Sequence, residues 1–224
     1  MKWGILCMNN NINNYDIPEI KNFYKMNKED IEKYAECAAL AYKDYPLFKY
    51  ITNGKCNHKV IKTIISSSIY SMKNQVIGFT NKEDAGAIAL FAPPKYTGSK
   101  ALPFLLGGGI KLAFIAPPST FLRLLRYENH SMKLKKNYTN HDCWYLYNIT
   151  VKPQYQNNGD CSKLLRPMFE YFDRTGQDCY LETHNENNVK LYEHFGFGLL
   201  EISDIPKTKM KQYSMIRKAN QLNK

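Results

Sequence analysis

The chain has 224 residues, of which 44% are hydrophobic and 23% charged. That balance fits one globular domain with a sizeable core and excludes a disordered chain. Its 31 basic and 20 acidic residues give a net charge of +11, which is compatible with nucleic acid, an anionic membrane or a phosphate-bearing small molecule and selects none of them. The six cysteines, at 7, 37, 56, 143, 161 and 179, form no Cys-x-x-Cys pair and stand at no metal-ligand spacing with histidine. Free thiols in a reducing cytoplasm are therefore expected, and no metal.

Residues 1–20 are Asn-rich and weakly patterned, and an N-terminal extension with a mobile tail is expected there. The short apolar run at 5–8 is followed by no small-residue cleavage site. Residues 21–218 are expected to form a single domain and 219–224 a C-terminal tail. Residues 23–26 read as a first strand. Asn27 is a candidate N-cap with Asp30 three residues on, opening a helix to about Tyr42. Pro46 starts a new turn, and 58–73 repeat apolar residues at helical spacing. Residues 75–81 and 85–92 read as two strands joined by a turn at 82–84. The apolar stretch 101–118 contains Pro103, Gly107–Gly109 and Lys111. It is too short to span a membrane, and a buried or pocket-lining segment is expected. Ser119 can cap a helix carrying Phe121, Leu122, Leu124, Leu125 and Met132. Then follow a strand at 143–151, a helix at 159–175, a strand at 179–183, a helix at 185–195, and strands at 197–202 and 213–217. Strands alternating with helices predict a mixed α/β sheet covered by helices.

The stretch that carries chemistry runs from Leu146 to Phe197. A strand ends at Val151, Lys152-Pro153-Gln154-Tyr155 turns the chain, and Gln156-Asn157-Asn158-Gly159-Asp160-Cys161-Ser162 leads into a helix. Unpaired amides and the macrodipole make a helix N-terminus a phosphate site, and Gly159 lets the backbone bend there. No Gly-Lys-Ser/Thr follows, which excludes a Walker loop, and one glycine does not make a dinucleotide fingerprint.

The order of strand, Gln156-x-x-Gly159-x-Cys161 loop and helix resembles the coenzyme A motif of the GNAT acetyltransferases. Leu181-Glu182-Thr183 followed by Asn185, Tyr192, Gly196 and Phe197 is similar to the same family's second half, nearest its puromycin N-acetyltransferase-like members. The resemblance covers about the last 80 residues. It implies a central, mostly antiparallel twisted sheet of about seven strands flanked by helices, an α/β (α+β) fold. It implies an N-acetyltransferase that moves acetyl from acetyl-coenzyme A to a primary amine of a small molecule, antibiotic-like or aminonucleoside, by direct attack.

By the same resemblance, Ile149 and Val151 pair with the pantetheine arm as a strand would. Residues Gln156, Asn157, Asn158, Gly159, Asp160, Cys161 and Ser162 hold the pyrophosphate. Asn185 and Asn188 bond the pantetheine amides, Asn185 alternatively capping its helix. Tyr192 protonates the departing thiolate. Glu182 is the expected base or ammonium ligand, with His184 as alternative base. A backbone N–H near Ile149 serves the oxyanion. The family's loop has Gly, Lys or Arg where this chain has Asn157 and Asn158, and Gly or Ala where it has Cys161; Asp160 adds a negative charge beside a pyrophosphate. Cys161 has no base placed for it by this spacing. Tyr42, Tyr45, Phe48, Tyr50, Tyr96 and Phe104 are candidate lining of the acceptor pocket. Partners expected are acetyl-coenzyme A and an amine, with no membrane and no nucleic acid, in a monomer or homodimer. Two alternatives stay open: a non-catalytic acyl-coenzyme A binder and a basic nucleic-acid-binding module.

Overall fold

A computed structural model of the chain describes residues 12, 15–55, 57–81, 85–139 and 142–220. The expected turn at 82–84 and most of the N-terminal extension lie outside them. Strand β1 (Tyr24–Lys25) is followed by Asn27, whose side chain accepts from the Glu29 and Asp30 amides while the Asp30 carboxylate accepts from the Asn27 amide. This reciprocal cap launches α1 (Ile31–Ala41) through one 3-10 turn. Pro46 opens α2 (Pro46–Ile51), where its fixed φ and missing N–H cost nothing. Helix α3 (His58–Met72) precedes β2 (Ile77–Thr80) and β3 (Ala87–Ala92). Short helices α4 (Ala101–Leu106) and α5 (Leu112–Ile115) lead into the long α6 (Pro118–Tyr138). The second half runs β4 (Trp144–Val151), α7 (Asp160–Thr175), β5 (Cys179–Thr183), α8 (Asn187–His194), β6 (Gly198–Asp204) and β7 (Lys211–Arg217).

The seven strands form one sheet in the order β1-β2-β3-β4-β5-β7-β6. All neighbours are antiparallel except β4 and β5. Helices cover both faces, giving two cores. Tyr34, Ala38, Ile61, Ile64 and Met72 pack against one face, while Leu164, Met168, Phe172 and Trp144 fill the other.

Three expectations change. From Tyr15 on, the N-terminal segment is no tail: Tyr15 meets Trp144 edge-on at 5.0 Å, and Ile17 and Ile20 are buried. Apolar side chains anchor it despite the polar sequence before it. Residues 101–118 are not buried as a segment. Phe104 and Leu112 point into the core, but Phe114 is 84% exposed and Leu106 72%, because these short helices rest on α3 by one side alone. Ser119 does not cap α6: the helix starts one residue earlier, at Pro118, with Pro117 in the N-cap position and no side-chain cap, and its inward stripe includes Leu124 while Phe121, Leu122 and Leu125 are exposed.

Candidate active site

The site begins where β4 and β5 part. Their parallel pairing is confined to Trp144–Cys179 and Tyr145–Tyr180, whereas on its other edge β4 stays paired with β3 as far as Val151. The rest of β4, which includes Ile149 and Val151, therefore lines an opening between the strands. Backbone polar groups at such an edge need partners. Tyr42 supplies one by donating from its hydroxyl to the Ile149 carbonyl (3.2 Å), and it accepts from Asn148 Nδ2 at 2.6 Å. The Thr150 hydroxyl lies 2.8 Å from the same oxygen. From Tyr45 the hydroxyl meets Thr183 Oγ1 at 3.1 Å and accepts from the His184 amide at 2.9 Å. Two tyrosines at the end of α1 thus tie the helical layer to both strands of the opening.

At the far end of β4, Gln156 Nε2 donates back to the Val151 carbonyl and closes the turn. Asn157 and Gly159 both adopt left-handed backbone, φ 67° and 75°, and Gly159 is the N-cap residue of α7. No atom lies within 4 Å of where a Gly159 Cβ would stand, so glycine is required there by backbone conformation and not by protein packing. The first amides of α7 have no partner within the helix, and Asp160, Cys161 and Ser162 there are half-buried. Asp160 does not leave its charge there unopposed: Lys163 Nζ lies 2.8 Å from its carboxylate and also donates to the Asn158 carbonyl. Burial pushes the Cys161 thiol up to about 11, so it is not a thiolate nucleophile at neutral pH. Ser162 accepts from Arg166 Nε.

Behind the opening lies a cavity of about 130 Å³. Tyr42, Tyr45 and Phe48 line it as expected; Tyr50, Tyr96 and Phe104 do not. Tyr50 is instead engaged by Arg123 and Arg126, Tyr96 packs in the core, and Phe104 packs against Gly109. Tyr127, Glu128, Tyr145 and Tyr147 join the lining. Tyr192 reaches the cavity from α8 and is almost fully buried. Burial first, then the nearby Tyr45, Tyr42 and Cys161, raise its hydroxyl well above the ordinary range, so it stays a phenol. Asn188 lines the cavity and donates to Thr183 Oγ1, while the Asn185 side-chain oxygen accepts from the Asn187 amide as a cap would.

Glu182 also faces the cavity and is held tightly. It accepts from Ser131 Oγ (2.6 Å), the Tyr145 hydroxyl (2.7 Å) and the Tyr180 hydroxyl (3.1 Å). Burial raises its pKa; the three hydroxyls and Lys135 oppose the rise. Glu128 is the residue that sequence reading missed. Burial first and the Glu182 charge second push it up to about 7. A signal existed: Leu124, Tyr127, Glu128, Ser131 and Lys135 share one helical face by i, i+3, i+4 spacing, and a carboxylate within an inward stripe needs a reason. His184 is buried against Tyr45 and Tyr127 and its pKa falls to about 4, first through burial. It is neutral at physiological pH. Among the described residues no cluster of His, Cys, Asp and Glu could hold a metal, and no helix is long and apolar enough to cross a membrane.

A seven-stranded, mostly antiparallel sheet that splits at one parallel pair, with a glycine-capped helix below the split, is a fold that this chain shares with solved acetyltransferases. Residues 124–197 match the model of the acetyltransferase (GNAT) family. The chain is 41% identical over 54 residues to an uncharacterized N-acetyltransferase of Schizosaccharomyces pombe, a match covering 24% of this chain and 22% of that relative. Among solved structures, it is similar to a histone acetyltransferase HPA2 and related acetyltransferase from Corynebacterium glutamicum, with TM-score 0.60 and 14% identity over 90% of this chain and 98% of the other. It is also similar to arylalkylamine N-acetyltransferase 2 from Aedes aegypti, with TM-score 0.57 and 18% identity over 88% and 98% of the two chains.

Proposed function

We propose that the chain is an N-acetyltransferase that carries acetyl from acetyl-coenzyme A to the primary amine of a small molecule. The observation that carries this reading is the split of β4 from β5 with two features at its ends: the Gln156–Ser162 loop at a helix N-terminus, and Tyr192 above the cavity. One co-substrate satisfies both. Its pyrophosphate meets the free amides of α7, and its pantetheine arm adds to the β4 edge at Ile149 and Val151, sharing their carbonyls with Tyr42 and Gln156 or displacing these contacts. The thioester then lies beside Tyr192. Asn157, Asn158 and Asp160 contribute backbone to this loop, and the pairing of Asp160 with Lys163 partly offsets the charge conflict that the sequence suggests.

The acetyl carbonyl takes its oxyanion support from the β4 backbone near Ile149. The neutral amine attacks the thioester carbon and the C–S bond breaks. Tyr192 gives its proton to the departing thiolate and recovers one from the new amide nitrogen. Asn188 orients the pantetheine end of the split. A cavity of about 130 Å³ favours a small acceptor over a full aminonucleoside. The protein acts where thiols stay reduced, in the cytoplasm, as a monomer or homodimer.

Calorimetry with acetyl-coenzyme A at two salt concentrations tests the reading. One-to-one binding that survives salt is the expected result. Binding that vanishes with salt would favour the nucleic-acid alternative, and tight binding without turnover on any amine would favour the non-catalytic one.

A further inference from the structure

Two carboxylates face one small cavity, and their surroundings differ. Glu182 on β5 has three hydroxyl donors at 2.6–3.1 Å. Glu128 on α6 has no hydrogen bond and no ion pair to any described residue. Tyrosines surround it: Tyr127 beside it on α6, Tyr147 from β4, Tyr96 from the loop after β3. An unpaired carboxylate among aromatic rings is costly to fold around. Its charge becomes favourable when a cation fills the cavity, because an ammonium gains both the carboxylate and the ring faces.

We infer that Glu128 binds the acceptor's ammonium and takes its proton, and that the acceptor is a small cationic primary amine on an apolar body. This rests on the acetyltransfer reading for its chemistry and not for its binding. A cavity of about 130 Å³ is close to one that holds a benzene ring, which sets the size of that body. In the step, the ammonium N–H bond breaks and its proton goes to a Glu128 oxygen. The freed lone pair forms the C–N bond to the thioester carbon, the C–S bond breaks, and the thiolate is protonated by Tyr192. The second amine proton returns to Tyr192, and Glu128 later releases its proton to water. A carboxylate raised to about 7 is ionised enough to accept a proton near neutrality and basic enough to hold it. Glu182 already accepts from three hydroxyls and is not free to take the amine proton in the same way.

The other titratable groups lining the cavity are Tyr34, Tyr42 and Tyr45 from α1 and the turn after it, Tyr145 on β4, His184 just after β5 and Tyr192 on α8, with Lys135 beside Glu182. None of these has a raised carboxylate pKa, so the pH response separates Glu128 from Glu182 by mutation. Benzylamine and its uncharged isostere benzyl alcohol serve as probes in calorimetry with the full chain. Benzylamine is expected to bind and benzyl alcohol not; Glu128→Gln should weaken benzylamine at least tenfold. Turnover with acetyl-coenzyme A should rise between pH 6 and 8, lose that inflection in Glu128→Gln, and shift it to lower pH in Glu182→Gln, where the like charge is gone. Stability gives a readout that needs no ligand. A carboxyl raised above its unfolded value makes the native state bind more protons, so it costs stability as pH rises from about 4.5 to 7. Glu128→Gln should therefore raise Tm at pH 8, and Glu182→Gln, which disrupts three hydroxyl bonds, should lower it.

A Glu128→Gln protein that binds benzylamine normally, or that loses Tm at pH 8, overturns the proposal. So does an inflection that persists in Glu128→Gln and disappears in Glu182→Gln. Failure of wild type to bind benzylamine overturns the ligand class. Glu128-dependent benzylamine binding without acetyl-coenzyme A binding leaves the amine site standing and removes the acetyltransfer reading.

Discussion

The two sides of the β4–β5 split, which the proposed function gives to coenzyme and to acceptor, are built in opposite ways. On the coenzyme side, the groups that matter follow one another along the chain from Ile149 to Ser162, and much of what they offer is backbone: an open strand edge, two left-handed residues and a helix N-terminus. On the acceptor side, the cavity is assembled from α1, α2, α3, α6, β4, β5 and α8, and what it offers is side chains. A backbone site tolerates most substitutions except those that alter φ. A side-chain site depends on the identity of a few residues. Mutations should therefore divide between the two sides by type.

The largest effect should come from Tyr192, which belongs to both sides. Tyr192→Phe keeps the ring that packs on Phe197 and removes the proton. Turnover should fall by about 10²–10⁴-fold while acetyl-coenzyme A affinity, measured by calorimetry, stays level. An equal loss of both would make the hydroxyl a binding group and blur the two sides.

The next effect is on the frame. Arg217 on β7 forms a two-pronged pair with Asp173 on α7 at 2.7 and 2.6 Å, with side chains 9% and 18% exposed, and its guanidinium lies 5.0 Å from the Phe169 ring centroid. This pair ties β7 to α7, the helix whose first turn the proposed function sets against the pyrophosphate. Asp173→Asn leaves a largely buried cation without its counter-charge and should cost about 3–5 kcal/mol of stability. Denaturant unfolding measures it, and the folded fraction should retain normal kcat.

The same contrast explains what the sequence made legible. The place of the loop before α7 and of Tyr192 on α8, though not their roles, is legible because a strand, a turn and a capped helix follow at close spacing, and local backbone needs select Gly159 and Gly196. Asn27 with Asp30 was readable for the same reason and forms the reciprocal cap as expected. The acceptor lining was half readable. Tyr42, Tyr45 and Phe48 lie in the cavity, but Tyr96 and Phe104, of the same residue type and hydropathy, are core. Nothing local distinguishes a tyrosine beside a void from one beside a methionine; the topology decides it. Residues 101–118 misled because continuous hydrophobicity reads as burial, whereas three short turns expose Leu106 and Phe114. Glu128 was not legible because hydropathy marks only the apolar residues of α6, whereas the informative position is a polar one on the inward stripe.

A smaller and purely backbone effect should appear at Gly159. Its φ of 75° suits glycine, and no neighbouring atom crowds a Cβ there. Gly159→Ala should cost about 1–2 kcal/mol through left-handed strain alone, read as about tenfold weaker acetyl-coenzyme A binding with kcat at saturation preserved. Asparagine tolerates that conformation better than alanine, so Gly159→Asn should bind more tightly than Gly159→Ala although it is larger. The reverse order would mean that space for the ligand, and not φ, selects the glycine.

The smallest expected effect concerns Asp160, the residue that sets the sequence most at odds with an anion site. Its carboxylate stands at the first turn of α7, where the helix dipole favours it but an incoming pyrophosphate does not. Lys163, three residues on, holds it at 2.8 Å with the ammonium half exposed. An exposed pair of this kind contributes about 0.2–1 kcal/mol, so breaking it hardly touches stability. Asp160→Asn changes the balance at the ligand instead: it removes a negative charge and frees Lys163 to face the phosphates. Acetyl-coenzyme A should bind a few-fold more tightly at low salt, with the gain shrinking as salt rises, and turnover on any amine should not move. Lys163→Met should do the opposite, leaving Asp160 uncompensated. A change in kcat with either variant would carry the coenzyme side's charge into the acceptor side, and the division between backbone and side-chain chemistry would no longer hold.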